Sequence, residues 1–190
     1  LETPSNPLNE IADLKGIAKL AKQFKVITIV DNCLCTPVIQ KPLNHGIDLV
    51  LHSATKFIDG QGRVLAGAVI GKTKLIDKIK IIVRTSGPAL APFNAWILFR
   101  SLETLSVRMN AQSESAFKIA SWLEKNEQIS QVFYPGLESN PQHKIAMYQQ
   151  SNGGAIVSFK LRNDVSMKKN QLAWRIINRV KIFSNSGNLG

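Results

Sequence analysis

The chain has 190 residues, 44% of them hydrophobic and 19% charged, a composition typical of a soluble globular protein able to bury a core. It has no apolar run near the roughly 18 residues of a transmembrane helix, and its start lacks signal-peptide features. The net charge of +11 is spread out, with no basic run longer than Lys168-Lys169, which favours solvated helix faces over a nucleic-acid surface. We expect one domain or one and a half, with neither nucleic acid nor membrane as a partner.

The chain ends and the cysteines indicate the context of the protein. The sequence starts on Leu1 and ends on Ser186-Gly187-Asn188-Leu189-Gly190, which is typical of sequence within a domain, so we interpret the chain as a segment of a longer protein. Cys33 and Cys35 give no disulfide framework and no second pair for zinc, and His45 and His143 have no partner ligands in their turns. A reducing cytoplasm without a metal site fits best.

The first half of the sequence alternates helix and strand patterns. After a proline-rich turn, Asn9 is the expected N-cap of an amphipathic helix that runs to about Gln23. Three apolar runs predict strands, at residues 26–30, 47–52 and 64–70. A short helix over residues 37–44, ending near Gly46, separates the first two. This alternation predicts an α/β layer with a mainly parallel sheet.

The second half of the sequence predicts longer helices and a different sheet. Helices are expected over residues 74–83 and from Pro92 to about Lys125, the latter with a pattern that allows a kink. Alternating apolar residues predict a half-exposed strand at 155–161, followed by a helix at 171–179 and a strand at 180–183. We therefore expect a second, α+β layer, which divides the chain into domains at 1–107 and 108–190.

Four chemically active side chains follow two of the predicted strands. Asp31 ends one apolar run, and Ser53, Thr55 and Lys56 end the next. Ligands bind at the carboxyl ends of strands in open α/β sheets, so these groups are expected to share a crevice. A lysine can form a Schiff base, two hydroxyls can hold a phosphate, and a carboxylate can keep a pyridine nitrogen protonated. Together they suggest pyridoxal phosphate.

Each of these signals is weak when it is taken alone. An aspartate after a strand is more often a cap or turn residue, and a lysine is usually solvated. Packing is also the favoured role of His52, which lies on a buried strand, and of Cys33 and Cys35, over catalytic or redox roles. The pattern gains strength only from the sequence around it.

That surrounding sequence resembles the Cys/Met-metabolism family of pyridoxal-phosphate enzymes, which has the aspartate-aminotransferase fold (fold type I). The resemblance covers essentially the whole chain. It is carried by these segments: Glu2-Thr3-Pro4-Ser5-Asn6-Pro7, Val30-Asp31-Asn32, His52-Ser53-Ala54-Thr55-Lys56, Arg84-Thr85-Ser86-Gly87 and Tyr134-Pro135-Gly136-Leu137. Within the family, Asp59-Gly60-Gln61-Gly62-Arg63 and residues 91–96 most resemble the branch of sulfhydrylases that act on O-succinylhomoserine.

The resemblance implies a role for each candidate residue. Lys56 would be the Schiff-base lysine and proton shuttle, and Asp31 the partner of the pyridine nitrogen. Ser53 and Thr55 would bind phosphate, and Asn6 would lie near the ring hydroxyl. Two further side chains are expected at the substrate. Asn188 would contact the substrate carboxylate or the lysine, and Arg63 would either bind a succinyl carboxylate or hold its own loop.

The resemblance also implies a reaction and an assembly. The expected reaction is γ-replacement on O-succinylhomoserine by sulfide, giving homocysteine and succinate in methionine biosynthesis. Cystathionine γ-synthase, O-acetylhomoserine sulfhydrylase and γ-lyase activities remain alternatives, as does a non-catalytic remnant or basic binding module. The full-length protein is expected to be a homo-oligomer, a homotetramer. Ala66 departs from the family, which usually has glycine there, and its methyl group is expected to cost stability if glycine permits a close backbone approach.

Overall fold

A computed structural model of the protein describes residues 1–162, 171–187 and 189. These residues form helices and strands in the following order: α1 Leu14–Gln23, β1 Ile29–Asp31, α2 Thr36–Ile39, β2 Leu49–Ser53, β3 Gly67–Gly71, α3 Thr73–Ser86, α4 Pro92–Glu124, β4 Ile129–Phe133, α5 His143–Gln149, β5 Ser158–Leu161 and α6 Gln171–Ile177. A 3₁₀ turn, Pro42–His45, precedes β2, and a π-helical turn, Ala54–Ile58, follows it.

Helix α1 confirms the predicted amphipathic helix and its end at Gln23, but not its expected start. The carboxylate of Asp13 caps the helix by accepting a hydrogen bond from the Gly16 N–H at 2.9 Å. Asn9 is therefore not the N-cap. Its buried side chain instead donates to the carbonyls of Phe133 and Ile156, at 2.9 and 3.1 Å. These partners lie more than a hundred residues away, so the local sequence gives no sign of them.

Strands β1, β2 and β3 form one sheet in that order. Strand β1 is parallel to β2, with Asp31 opposite Leu51, and β3 returns antiparallel to β2, with Gly67 opposite Ser53. The α/β class is thus confirmed, and the sheet of the described residues is mixed. β1 is shorter than predicted: its pairing with β2 begins at Ile29, and Val26 and Ile27 lie outside the strand with exposed side chains. A core of Leu14, Val30, Ile47 and Val50 joins α1 to this sheet.

The turn that follows β2 is anchored by apolar contacts on either side of Lys56. Ala54, Phe57 and Ile58 are buried in a second core with Leu105 and Met109 of α4. Cys35 and Ile39, at the start and end of α2, complete this core. The buried neighbours leave Lys56 itself half-buried at the surface of the turn.

Helix α4 runs continuously for 33 residues, so the kink that its pattern allows does not form. Pro92 stands in its first turn, as predicted, where a missing backbone N–H costs no hydrogen bond. The predicted division at 1–107 and 108–190 falls inside this helix and remains a proposal. No helix among the described residues combines the length and apolar character needed to cross a membrane.

The second layer consists of strands β4 and β5, which pair antiparallel, and Val132 of β4 packs against the core that contains Ala116 and Ala120 of α4. Strand β5 confirms the later part of the strand predicted at 155–161, and α6 confirms the helix predicted at 171–179. Strand β4 and helix α5 were not predicted. The strand predicted at 180–183 is wrong: residues 181–183 form bends, the side chains of all four residues are exposed, and no strand of the described residues pairs with them.

Candidate cofactor site

The carboxyl ends of β1 and β2 bring three predicted site residues to one edge of the sheet. Asp31 is the last residue of β1, Ser53 is the last residue of β2, and Lys56 lies in the turn that follows. The two strands are parallel and adjacent, so their carboxyl ends meet at the same edge. All three residues are half-buried. We refer to Asp31, Cys33, Ser53 and Lys56 as the strand-end edge.

Hydrogen bonds beyond the regular ladder join the two strand ends. The Asn32 N–H donates to the Leu51 carbonyl at 2.9 Å and extends the β1–β2 pairing by one residue. The Cys33 N–H donates to Asp31 Oδ1 at 2.9 Å, and the Ser53 N–H donates to Cys33 Sγ at 2.6 Å. Cys33 therefore contacts both of the residues that end the strands.

The backbone of the turn changes direction at Lys56. The Asp59 N–H donates to the Ala54 carbonyl at 2.9 Å, and the Gly60 N–H donates to the Lys56 carbonyl at 2.8 Å. Lys56 itself has the non-helical angles φ −85° and ψ −127°. The helical turn is thus interrupted at the residue whose side chain is expected to carry the chemistry.

Thr55 is held by reciprocal bonds to Ala66. Its N–H and its hydroxyl both donate to the Ala66 carbonyl, each at 3.2 Å, and its hydroxyl accepts from the Ala66 N–H at 2.9 Å. These bonds fasten the turn to the segment that leads into β3. The phosphate-binding role of Thr55 remains a prediction, and it requires the hydroxyl proton to leave the Ala66 carbonyl.

A second polar group fixes the loop beyond the turn, and we call Asp59, Arg63, Ser101 and Arg108 the loop clamp. Arg63 donates to Asp59 from its backbone N–H at 2.6 Å and from Nε at 3.0 Å, and its Nη2 donates to Ser101 at 2.7 Å. Burial of Asp59 tends to raise its pKa, but the hydrogen bonds and charge of Arg63 prevail and lower it. These contacts show Arg63 holding its loop, and its expected role towards substrate remains a prediction.

Arg108 completes the loop clamp from helix α4. Its guanidinium donates to the carbonyls of Phe57, Ile58 and Ser101 at 2.7, 3.1 and 3.1 Å. Gly60 has φ +69°, and a side chain there would collide with this guanidinium. Arg108 was not predicted as a site residue, because a single arginine in a long helix carries no signal of a partner fifty residues earlier.

The remaining predicted site residues lie near the two ends of the chain. The Thr3 N–H donates to the Asp31 carbonyl at 3.5 Å, so the first residues run beside β1. Asn6 is exposed on this segment, and its backbone N–H donates to the Glu2 carboxylate at 3.3 Å. Its role at the ring hydroxyl remains a prediction. Asn188 lies outside the described residues.

The buried side chains near the edge have shifted pKa values. Burial lowers the pKa of His52, which is 4% exposed on β2 and whose Nδ1 has no hydrogen-bond partner among the described residues. Burial, then a hydrogen bond with Asp31, raises the pKa of Cys33 to about 12, and burial also raises that of Cys35. Neutral groups of this kind favour packing and hydrogen bonding over redox chemistry.

The side chains at the strand-end edge fit pyridoxal phosphate by their chemistry. A primary amine, a carboxylate and a hydroxyl, all half-buried, supply one group for the aldehyde, one for the ring nitrogen and one for the phosphate. Two cavities, of about 410 and 360 Å³, lie elsewhere and include none of these residues.

The fold and the comparisons with known proteins place the chain among the pyridoxal-phosphate-dependent enzymes of fold type I. The chain belongs to the Cys/Met metabolism PLP-dependent enzyme family, whose family model matches residues 1–190. The chain is similar in structure to the cystathionine gamma synthase of Xanthomonas oryzae, with a TM-score of 0.93 and 37% identity over all of this chain and 48% of that one. The family assignment confirms pyridoxal phosphate as the cofactor expected from the sequence.

Curated relatives carry several names within this family. The chain is 46% identical to the O-succinylhomoserine sulfhydrylase of Pseudomonas aeruginosa, over all of this chain and 46% of that protein. It is 39% identical to the cystathionine beta-lyase of Coxiella burnetii, over all of this chain and 48% of that protein. The chain thus spans about half the length of the curated relatives it matches. The relatives support trans-sulfuration chemistry without selecting one reaction.

Proposed function

We propose that the protein catalyses γ-replacement on O-succinylhomoserine, in which sulfide displaces succinate and gives homocysteine. The observation that carries this proposal is the 46% identity to the sulfhydrylase of Pseudomonas aeruginosa, together with 39% identity to that of Mycobacterium tuberculosis. The proposed substrates are an activated homoserine and sulfide, and the proposed pathway is methionine biosynthesis.

The proposed roles follow from the positions of the side chains. Pyridoxal phosphate, when bound, withdraws electrons from the carbon that carries the substrate amino group. Lys56 would hold the cofactor and move protons between Cα and Cβ of the substrate from its half-buried turn. Asp31 would face the ring nitrogen and Ser53 the phosphate, each from the end of its strand.

Four further roles belong to the same proposal. Thr55 would add a phosphate contact, and Asn6 would lie near the ring hydroxyl. Asn188 and Arg63 would contact substrate, and Arg63 would then have to do so from its place in the loop clamp. A side-chain exposure of 41% leaves part of this arginine open to such a contact.

A second candidate function is elimination or cystathionine chemistry on the same fold. It is supported by 43% identity over 168 residues to the cystathionine beta-lyase of Lactococcus lactis, and by 37% identity to the L-methionine gamma-lyase of Pseudomonas putida. Cystathionine γ-synthase and O-acetylhomoserine sulfhydrylase activities belong to the same group of candidates. The strand-end edge serves all of them, because they share the cofactor and the lysine.

We also propose a homo-oligomer, a homotetramer, in the cytoplasm. The support for association is the exposed apolar surface of α4, which includes Phe93, Trp96 and Phe99. The support for a reducing compartment is that both cysteines of the chain are free.

Product analysis tests the proposed reaction. The full-length protein that contains this chain, loaded with pyridoxal phosphate, is incubated with succinyl- or acetyl-homoserine and with sulfide or cysteine, and the products are separated by mass. We expect homocysteine and succinate to form fastest from the succinyl ester with sulfide. Faster formation of cystathionine, or of an oxo acid and ammonia, would select the second candidate. A complete absence of products that persists with every donor would favour a non-catalytic protein.

A further inference from the structure

Cys33 occupies a position between the two strand ends that the proposed roles of Asp31 and Ser53 leave unexplained. Its N–H donates to Asp31 Oδ1 at 2.9 Å, and its Sγ accepts from the Ser53 N–H at 2.6 Å. One residue thereby contacts the carboxylate expected at the ring nitrogen and the backbone of the residue expected at the phosphate. Asp31 and Ser53 are far apart in the sequence, and folding of β1 beside β2 brings them together.

The chemistry of the Cys33 thiol favours a hydrogen-bonding role over a nucleophilic one. Burial, followed by a hydrogen bond between the thiol and the Asp31 side chain, raises the pKa of Cys33 to about 12. The sulfur therefore stays protonated at neutral pH, when it has one hydrogen to donate and lone pairs to accept with. A protonated, half-buried thiol is a poor nucleophile, so a reactive role finds no support.

We propose that Cys33 is a positioning residue that fixes Asp31 and Ser53 relative to each other at the strand-end edge. The inference rests on the proposed function in one respect, namely that this edge holds pyridoxal phosphate. The ring nitrogen and the phosphate belong to one cofactor molecule, so Asp31 and Ser53 would have to hold two parts of it at the same time. Correct spacing of the two protein groups therefore affects how well both ends are held at once.

Cys35 provides a matched control two residues further on. It is 1% exposed and packs in the apolar core with Ile39 and Phe57. A substitution of Cys35 removes about as much side chain as the same substitution of Cys33. It does so in the core and not between the strand ends, so it reports loss of packing alone.

The experiment compares Cys33→Ala, Cys33→Ser, Cys35→Ala and the unchanged protein. Binding of pyridoxal phosphate is titrated through its visible absorbance, amide hydrogen exchange is followed at Ser53, and Tm is measured without cofactor. We expect Cys33→Ala to weaken cofactor binding about tenfold and to speed exchange at Ser53. The variant loses the hydrogen bonds of the thiol to the Ser53 N–H and the Asp31 side chain, and it keeps the backbone bond from the Cys33 N–H to Asp31. Cys33→Ser should recover much of both, because a hydroxyl can accept and donate as the thiol does. Cys35→Ala should lower Tm while cofactor binding stays within about twofold.

Two results would overturn the proposal. The first is an amide exchange rate at Ser53 in Cys33→Ala that equals that of the unchanged protein. The second is a loss of cofactor affinity in both Cys33→Ala and Cys35→Ala that is proportional to the fall in Tm of each variant. Failure of the unchanged protein to bind pyridoxal phosphate would instead contradict the proposed function. In that case, faster Ser53 exchange in Cys33→Ala with recovery in Cys33→Ser still supports the link between the strand ends.

Discussion

The strand-end edge and the loop clamp meet in the chain between Lys56 and Asp59, and we assign them different tasks. In the loop clamp, Arg63 and Arg108 direct their guanidinium groups at Asp59, Ser101 and backbone carbonyls of the same chain. At the strand-end edge, Asp31, Ser53 and Lys56 are half-buried at and just after the carboxyl ends of β1 and β2. The loop clamp stabilises the fold through bonds among its own groups and to backbone carbonyls, whereas the strand-end edge is proposed to bind the cofactor.

Substitutions in the two groups are expected to cause different defects: loss of stability in the loop clamp and loss of cofactor binding or turnover at the strand-end edge. Substitutions in the loop clamp are expected to reduce the free energy of unfolding, because they leave buried carbonyls or a buried carboxylate without a partner. Substitutions at the strand-end edge are expected to reduce cofactor binding or turnover with little effect on folding. A clamp variant that folds normally, or an edge variant that unfolds, would contradict the comparison.

The largest effect is expected for Lys56→Ala at the strand-end edge. Removal of the amine should abolish the visible absorbance of bound cofactor and lower turnover by at least about a thousandfold, while Tm changes little. Absorbance titration and circular dichroism measure these properties. Lys80→Ala, an exposed lysine of α3 that faces Asp77, is the control and should retain both absorbance and turnover. Unchanged absorbance in Lys56→Ala would refute the assignment of this lysine.

A large loss of stability is expected for Arg108→Met in the loop clamp. Three carbonyls lose a charged donor, so the free energy of unfolding should fall by about 2–4 kcal/mol. Urea unfolding measures this change. Arg100→Met, on the same helix, removes only an exposed pair with Glu103 and should cost less than about 1 kcal/mol. Equal losses in the two variants would show that Arg108 is no more than a surface residue.

The ionisation of Asp59 gives the loop clamp a dependence on pH. The folded state lowers the pKa of Asp59 below that of the unfolded chain. Its contribution to stability is therefore fully present above the unfolded value of about 4 and is lost as pH falls through the lower, folded value. Asp59→Asn should cost about 1–3 kcal/mol at pH 7 and less in strong acid. Urea unfolding at pH 7 and pH 3 tests this, and a cost that grows in acid would contradict it.

The smallest effect is expected for Ala66→Gly, beside the edge. The backbone of Ala66 does not take a positive φ, so this position does not require glycine. The methyl group of Ala66 packs against the core that holds the turn. Glycine should therefore lower the free energy of unfolding by about 0.5–1 kcal/mol, without changing cofactor affinity. A gain in stability would show instead that the methyl group crowds the backbone. Thermal unfolding resolves the two signs.

Local patterns in the sequence correctly predicted the elements that present the candidate site. Helix α1, helix α4 and the strand that ends at Ser53 were identified because apolar spacing is a local property. The cap at Asp13 and strand β4 were missed. Each was missed for a different reason: Asn9 offered an equally good capping side chain, and β4 takes its form from pairing with β5, which lies more than twenty residues later.

The sequence by itself determined which chemical groups this protein can offer: the amine of Lys56, the carboxylate of Asp31 and the hydroxyl of Ser53, each at the end of an apolar run. Residue types and their distance from the end of an apolar run can be read from the sequence directly, because they are local properties. Only the tertiary structure decided what surrounds them. The thiol of Cys33 between two strand ends and the guanidinium of Arg108 on the loop both depend on partners brought close by folding.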